Sequence, residues 1–246
     1  MTTSTDHDHR PRAALFDLDG TLVDTNYLHS LTWWQALHQN GHDIPMARIH
    51  RAIGMGGDRI LEHLLGSAHD HRQDQRLRDA HHALYAAWFD SLPVLDRAAD
   101  LLRAIAARGL RIVLASSASA DEVAAIRAAL DVDEVIHGAT SADDVDRSKP
   151  APDLVHQALA LSDAAPADAV FVGDTVWDVQ AAARAGVPCI GLLTGGISEA
   201  ELTAAGPVTV YPGPPELLRS LDSSPLAGKA PRTTGSGGGD RPETPG

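Results

Sequence analysis

The chain has very little cysteine and very little lysine. Its one cysteine, Cys189, is alone among 246 residues. No intramolecular disulfide can form, and a zinc–thiolate cluster is excluded because it needs several thiolates. Within VPCIGL, Cys189 reads as a small buried hydrophobe of a strand. The only lysines are Lys149 and Lys229, and the formal net charge is −13 at pH 7. No dense basic stripe is present, which argues against nucleic acid as the main partner. An acidic chain that recognises phosphate needs a local cation, either a basic side chain or a metal. No apolar run approaches the length of a membrane span. The polar N-terminal stretch MTTSTDHDHRPR does not have the apolar centre of a secretion signal. The expectation is a cytoplasmic protein, monomer or dimer, without a membrane or nucleic-acid partner.

A 43% hydrophobic content suits one main core plus a small accessory domain. Residues 1–12 read as a polar tail in which His7 and His9 are unengaged. Residues 222–246 read as a second disordered tail, rich in Pro, Gly, Ser and Thr and poor in large apolar side chains.

Between the tails, strand-like and helix-like segments alternate. AALFDLD, LRIVLASS, DEVIHG, AVFVGD, VPCIGLL and VTVY read as strands. LDRAADLLRAIAARG carries apolar residues at helical spacing and stops at Gly109. SADEVAAIRAAL opens with a capping-box pattern, Ser119 and Glu122. APDLVHQALAL, VWDVQAAARAG and SEAELTAAG complete the helices. The alternation predicts an α/β fold, a doubly wound Rossmann-like parallel sheet with helices on both faces. One block departs from it. Residues 24–92 contain helix-like segments only, so they read as an all-helical cap domain inserted into a core of 13–23 and 93–221. Asp24 is the expected N-cap of the first cap helix. The aromatic residues Trp33, Trp34, Tyr85, Trp88 and Phe89 are expected to pack the cap.

FDLDGTLVD places Asp17 and Asp19 at the end of the first apolar strand, where buried carboxylates are costly unless compensated. Ligands of doubly wound sheets sit beyond the C-terminal strand ends. At those ends stand Asp17 and Asp19, then Ser116 and Ser117, then Asp174 and Asp178, with Lys149 just ahead of a helix. Clustered carboxylates call for a cation, and oxygen donors suit magnesium. A lysine and a hydroxyl beside a metal suit a phosphoryl group. An aspartate can attack phosphorus, and a second can move protons. Singly, these residues have ordinary readings as helix caps or surface charges.

Together, FDLDGT, LASS, SKPAPD and GDTVWD resemble in order the four motifs of the haloacid dehalogenase superfamily of phosphohydrolases, over about residues 13–221. The helical insert resembles the small cap of the phosphoglycolate phosphatase and β-phosphoglucomutase branch. The resemblance implies a magnesium-dependent phosphatase that hydrolyses a small phosphorylated metabolite, of phosphoglycolate or sugar-phosphate type, through an aspartyl phosphate. It implies Asp17 as nucleophile and Asp19 as general acid/base. Magnesium would be held by Asp17, the backbone carbonyl of Asp19 and Asp174, with Asp178 supporting it directly or through water. Ser116 and Lys149 would contact the transferring phosphoryl group, with Gly173 allowing close backbone approach. The Lys149–Pro150 bond would be cis. In IGMGGDRI, Arg59 is the candidate for gripping a second anionic group.

Asp19 separates the chain from the dehalogenating branch, which keeps no acid/base residue there. The cap has no lysine for the Schiff base of phosphonoacetaldehyde-hydrolysing relatives. His29 and Trp33 match a mutase pattern, so a β-phosphoglucomutase type of isomerase is the alternative, with His29 as a substrate-side residue. A receiver-like phospho-acceptor module also uses Asp, Ser/Thr and Lys at strand ends, but it has no D-x-D followed by a helical insert.

Overall fold

The structure, a computed structural model, describes residues 11–227. Six strands form one sheet: β1 (Ala13–Phe16), β2 (Arg111–Ala115), β3 (Ile136–Thr140), β4 (Ala169–Gly173), β5 (Cys189–Leu192) and β6 (Thr209–Tyr211). Their order is β3-β2-β1-β4-β5-β6, and every pairing is parallel. Parallel neighbours need crossovers, and helices supply them.

The strands read as continuous apolar runs because both faces are covered. Ala14, Phe16, Ile112, Leu114, Val170 and Val172 point to one face. They pack with Leu101, Leu102 and Ile105 of α5 (Ala98–Ala106) and with Val123 and Ile126 of α6 (Ala120–Leu130). The alternate residues Ala13, Leu15, Val113 and Phe171 point to the other face. There they meet Val155 and Ala158 of α7 (Asp153–Ser162) and Val179 and Ala182 of α8 (Val176–Arg184). Leu202 of α9 (Glu199–Ala205) joins this second cluster. Cys189 is buried in it, as expected of a strand cysteine. The capping box at α6 is formed, with Ser119 N donating to Glu122 Oε2 at 2.9 Å.

Four further helices follow β1 directly: α1 (Asn26–Gln39), α2 (Met46–Ala52), α3 (Gly57–Leu65) and α4 (Asp74–Ala86). They enclose a cluster of their own around Trp33, Leu37, Ile49, Ile60, Leu61, Leu64 and Leu77. The chain enters and leaves this cap through adjacent crossings, where Val23 bridges Val94 antiparallel and Leu95 N donates to Leu22 O at 3.0 Å.

Several expectations need correction. Asp24 is exposed and does not cap α1; Thr25 holds that position, and the Asp24 amide donates to Pro93 O at 2.8 Å. Tyr85 and Phe89 pack against the core cluster instead of the cap cluster, and Trp88 stays 39% exposed. A last helix, α10 (Pro214–Arg219), carries Leu217 into the core and was not foreseen, because six residues are too few to show a period. Residues 222–227, expected to belong to a tail, are held by the fold, since Leu226 is fully buried in the core cluster. One leucine with an apolar socket is enough to hold an otherwise polar stretch. Residues 1–10 and 228–246 of the expected tails lie outside the described residues. Among the described residues, no helix is long and apolar enough to cross a membrane.

Candidate active site

The C-terminal ends of β1 and β2 face the cap across a cleft of about 490 Å³, and the end of β4 lies beside them. Asp17 continues the ladder of β1, its amide donating to Val172 O at 2.9 Å, so its side chain is delivered at the sheet edge. There it is only 3% exposed. Lys149 precedes α7 beside a cis Lys149–Pro150 bond and is fully buried. Its Nζ lies 2.5 Å from Asp17 Oδ1 and 2.8 Å from Asp178 Oδ1. A buried ammonium is tolerable only with such partners. Burial works against its charge, but the two carboxylates win and push its pKa upward.

Asp174 follows β4 and accepts from Thr21 Oγ1 and from Asn26 Nδ2, each at 2.8 Å. Backbone crowds this carboxylate: a Cβ on Gly195 would lie 1.8 Å from Asp174 Oδ2. Gly173 plays a similar part for Asp178, where a Cβ would come within 2.5 Å of the side chain. Asp178 has two tasks. Its Oδ1 pairs with Lys149, while its Oδ2 accepts from Thr175 N at 3.0 Å and closes the cap of α8.

The charges do not balance. Asp17, Asp174 and Asp178 each bring a carboxylate oxygen within 4.8 Å of the others, against one lysine. Burial, then repulsion from Asp178, raises the Asp17 carboxyl from its usual 3.8 to about 7, even with Lys149 in contact. Asp174 is raised for the same two reasons, burial first. An excess of buried carboxylate made only of hard oxygen donors fits magnesium.

Asp19 is treated differently. Burial would raise its carboxyl, but His29 and Thr25 outweigh that and hold it below its usual value. Thr25 Oγ1 donates to Asp19 Oδ1 at 2.6 Å, and His29 Nε2 lies 3.1 Å from the same oxygen. His29 Nδ1 in turn meets His81 Nε2 at 3.2 Å, and the His29 ring stacks on Tyr85 at 3.9 Å between centroids. Burial opposes a charge on His29, yet Asp19 raises its pKa; burial and His29 together keep His81 low. His29 lines the cleft with both ring nitrogens engaged by protein, Nε2 by Asp19 and Nδ1 by His81.

Ser116 follows β2 and is buried at the edge of the cleft, its Oγ accepting from Ala118 N at 3.1 Å. The hydroxyl proton is thereby left free to point elsewhere. Among the described residues Ser117 Oγ has no hydrogen-bond partner, and it belongs to the same lining.

Arg59 is not among the residues lining the cleft. On α3 the cleft is lined by Gly57 and Asp58, and one helical step turns the next side chain by about 100°. The nearest carboxylate to Arg59 is its neighbour Asp58, 3.7 Å away. Asp58 itself reaches the core, accepting from Ser148 N at 3.1 Å and from the Ser148 hydroxyl. Gly56 N donates to Ser148 Oγ at 3.0 Å, so the IGMGGDRI loop closes over the residue next to Lys149.

Among the described residues that line the cleft, Arg78 is the one arginine or lysine. It reaches Gly57 O and Gln75 Oε1. The sequence contained a signal for it: Gln75, Arg78, Asp79 and His82 follow one another at helical spacing, the polar stripe of α4 that faces the cleft. Asn26, Thr21 and Gly195 had no comparable signal, because only the fold brings them to Asp174.

A parallel sheet that gathers such an edge beneath a helical cap defines a capped hydrolase of the doubly wound class. A family model described as haloacid dehalogenase-like hydrolase matches residues 11–186. The chain belongs to the haloacid dehalogenase-like hydrolases. The phosphoglycolate phosphatase of Escherichia coli is 30% identical over 234 residues, spanning 85% of this chain and 92% of that protein. A hydrolase from Pseudomonas syringae superposes with a TM-score of 0.82 at 34% identity, over 86% of this chain and 98% of that one. A β-phosphoglucomutase from Clostridium difficile superposes with a TM-score of 0.76 at 18% identity, over 88% and 97%, a likeness of fold alone. The phosphoglycolate phosphatase relative and the family match make the chain an enzyme of the phosphatase type.

Proposed function

We propose that the enzyme is a magnesium-dependent phosphatase for a small phosphomonoester, of phosphoglycolate or sugar-phosphate type, and works through an aspartyl phosphate on Asp17. The observation that carries this is the unequal treatment of two carboxylates two residues apart. Asp17 sits on Lys149 in a carboxylate cluster, and Asp19 sits on His29.

Asp17 Oδ attacks phosphorus as the ester P–O bond breaks, and the leaving oxygen takes a proton relayed through Asp19 from His29, whose pKa Asp19 raises. Asp19 then takes a proton from water, which attacks the phosphorus and frees both phosphate and Asp17. Lys149 offsets negative charge on Asp17 and on the phosphoryl oxygens. Ser116, with its oxygen already accepting from Ala118 N, donates its proton to a phosphoryl oxygen. Magnesium, held by Asp17, Asp174, Asp178 and the Asp19 carbonyl, would supply the remaining charge neutralisation. His29 and Thr25 set the direction of the Asp19 carboxyl.

Phosphate release from a panel of phosphoglycolate, sugar phosphates, nucleotides and β-glucose 1-phosphate, with magnesium and with EDTA, tests the reading. Metal-dependent release from one small ester is expected. Interconversion of a sugar phosphate without net release would favour the mutase instead. His29 keeps that second reading open, although in this cap a histidine, His81, meets it.

Arg78 replaces Arg59 as the group for a second anion. Arg78→Ala should raise KM for phosphoglycolate by about 10- to 100-fold, the loss of one charged hydrogen-bond partner. It should barely alter KM for a simple aryl phosphate, and Arg59→Ala should leave both nearly unchanged. Equal effects of Arg78→Ala on the two substrates would remove it from specificity.

A further inference from the structure

We propose that His69, His71 and Asp74 form a second metal site, for zinc or a similar divalent transition ion, at the connection between α3 and α4. It lies apart from the carboxylate cluster at the sheet edge and differs from it in chemistry: two imidazoles and one carboxylate in place of oxygen donors only. Nitrogen donors of this kind select zinc and its neighbours over magnesium.

One donor atom from each of the three residues lies within 4.8 Å of the others. His69 Nε2 is 2.7 Å from Asp74 Oδ1, and His71 Nδ1 is 3.1 Å from Asp74 Oδ2. Each carboxylate oxygen therefore faces an imidazole nitrogen. A tetrahedral zinc with bonds of about 2.0–2.1 Å sets its donors roughly 3.4 Å apart, wider than the present spacing, so the exposed His71 and the Asp74 carboxylate would open slightly to admit it.

An independent observation concerns the far side of the His69 ring. Its Nδ1 lies 2.7 Å from Gly66 O, and a carbonyl can only accept, so Nδ1 carries the proton. In the neutral ring the lone pair is then on Nε2, aimed at Asp74. At that distance either a second proton, which Gly66 O and Asp74 favour on His69, or a metal ion lies between Nε2 and the carboxylate, and a metal would displace that proton. A backbone carbonyl that fixes the ring by its other nitrogen is the usual outer support of a metal-binding histidine.

The surroundings favour entry and leave Asp74 available. The His71 side chain is 62% exposed and can adjust, while that of His69 is 7% exposed and held. The neighbouring carboxylate, Asp70, is already taken by Arg72, with Nε to Oδ1 at 2.8 Å and Nη2 to Oδ2 at 3.1 Å. Water would complete the coordination. A metal here ties the connection after Gly66 to the first turn of α4, the helix that presents Arg78 and His81 to the cleft.

The experiment is a zinc titration of the full chain in excess magnesium, read by calorimetry, with the visible absorption of the cobalt-loaded protein as a spectroscopic check. The variants are His71→Ala and Asp74→Asn, with a His7→Ala/His9→Ala control because the N-terminal stretch also contains two histidines. One zinc per chain is expected. Affinity should fall at least tenfold in His71→Ala and in Asp74→Asn and stay unchanged in the control. Zinc should also raise the melting temperature of the wild type but not of His71→Ala, since it binds the folded state. The exposure of His71 makes that variant safe to fold even if Asp74→Asn is not. No zinc binding, binding unaltered by His71→Ala, or binding lost only in the control would each overturn the proposal.

Discussion

Asp17→Asn is expected to abolish turnover, lowering kcat by about 10⁴-fold or more, as loss of a covalent nucleophile does. The substitution is nearly isosteric, so the cause can be separated from unfolding. Lys149 keeps Asp178 at 2.8 Å when the Asp17 charge is removed. Asp17 is also one of three crowded carboxylates, with its own pKa raised to about 7 by burial and by Asp178. Neutralising it relieves that repulsion. The metal-free variant should therefore melt no lower than the wild type while being inactive. Retained activity would remove Asp17 as nucleophile. A large fall in melting temperature would mean that the cluster tolerates its charges better than the geometry implies.

The second large effect is a pH-dependent response of stability to magnesium. In the metal-free fold, the Asp17 carboxyl titrates near 7 instead of its usual 3.8. Between those values the folded protein holds a proton that the unfolded chain has released, so stability falls as pH rises through that window. For Asp17 alone the fall approaches about 4 kcal/mol, and Asp174 adds to it in the same direction. Magnesium bound by the ionised carboxylates would reverse the penalty. Thermal melts should show little stabilisation by magnesium near pH 5 and much more near pH 8. Asp17→Asn should flatten the metal-free pH dependence. Equal stabilisation at both pH values would contradict the assignment of this cluster as the magnesium site.

How much of this was legible in the sequence depended on whether a residue belongs to a local pattern. Strands buried on both faces declare themselves as apolar runs, so β1, β2 and β4 and the residues at their ends, Asp17, Ser116 and Asp174, could be read directly. Lys149 stood out because lysine is so rare here. The helical insert was legible from the missing strand pattern. Arg59 misled because the glycine-rich loop pointed to the right segment, and only the phase of α3 decides which side chain faces inward. Asn26 and Gly195 touch Asp174 from 148 and 21 positions away in the chain, a relation that no local pattern encodes. His81 was hidden in the same way, its partner His29 lying on another helix.

The central claim is that Asp17 carries the phosphoryl group during turnover. The most direct test is to mix the enzyme with an isotopically labelled phosphoglycolate or sugar-phosphate substrate and magnesium, quench in acid within one turnover, and map the label by peptide mass spectrometry. The account predicts label on the peptide containing Asp17, absent in Asp17→Asn and lost on incubation with hydroxylamine. Release of phosphate at full rate with no label on that peptide at any quench time would contradict it.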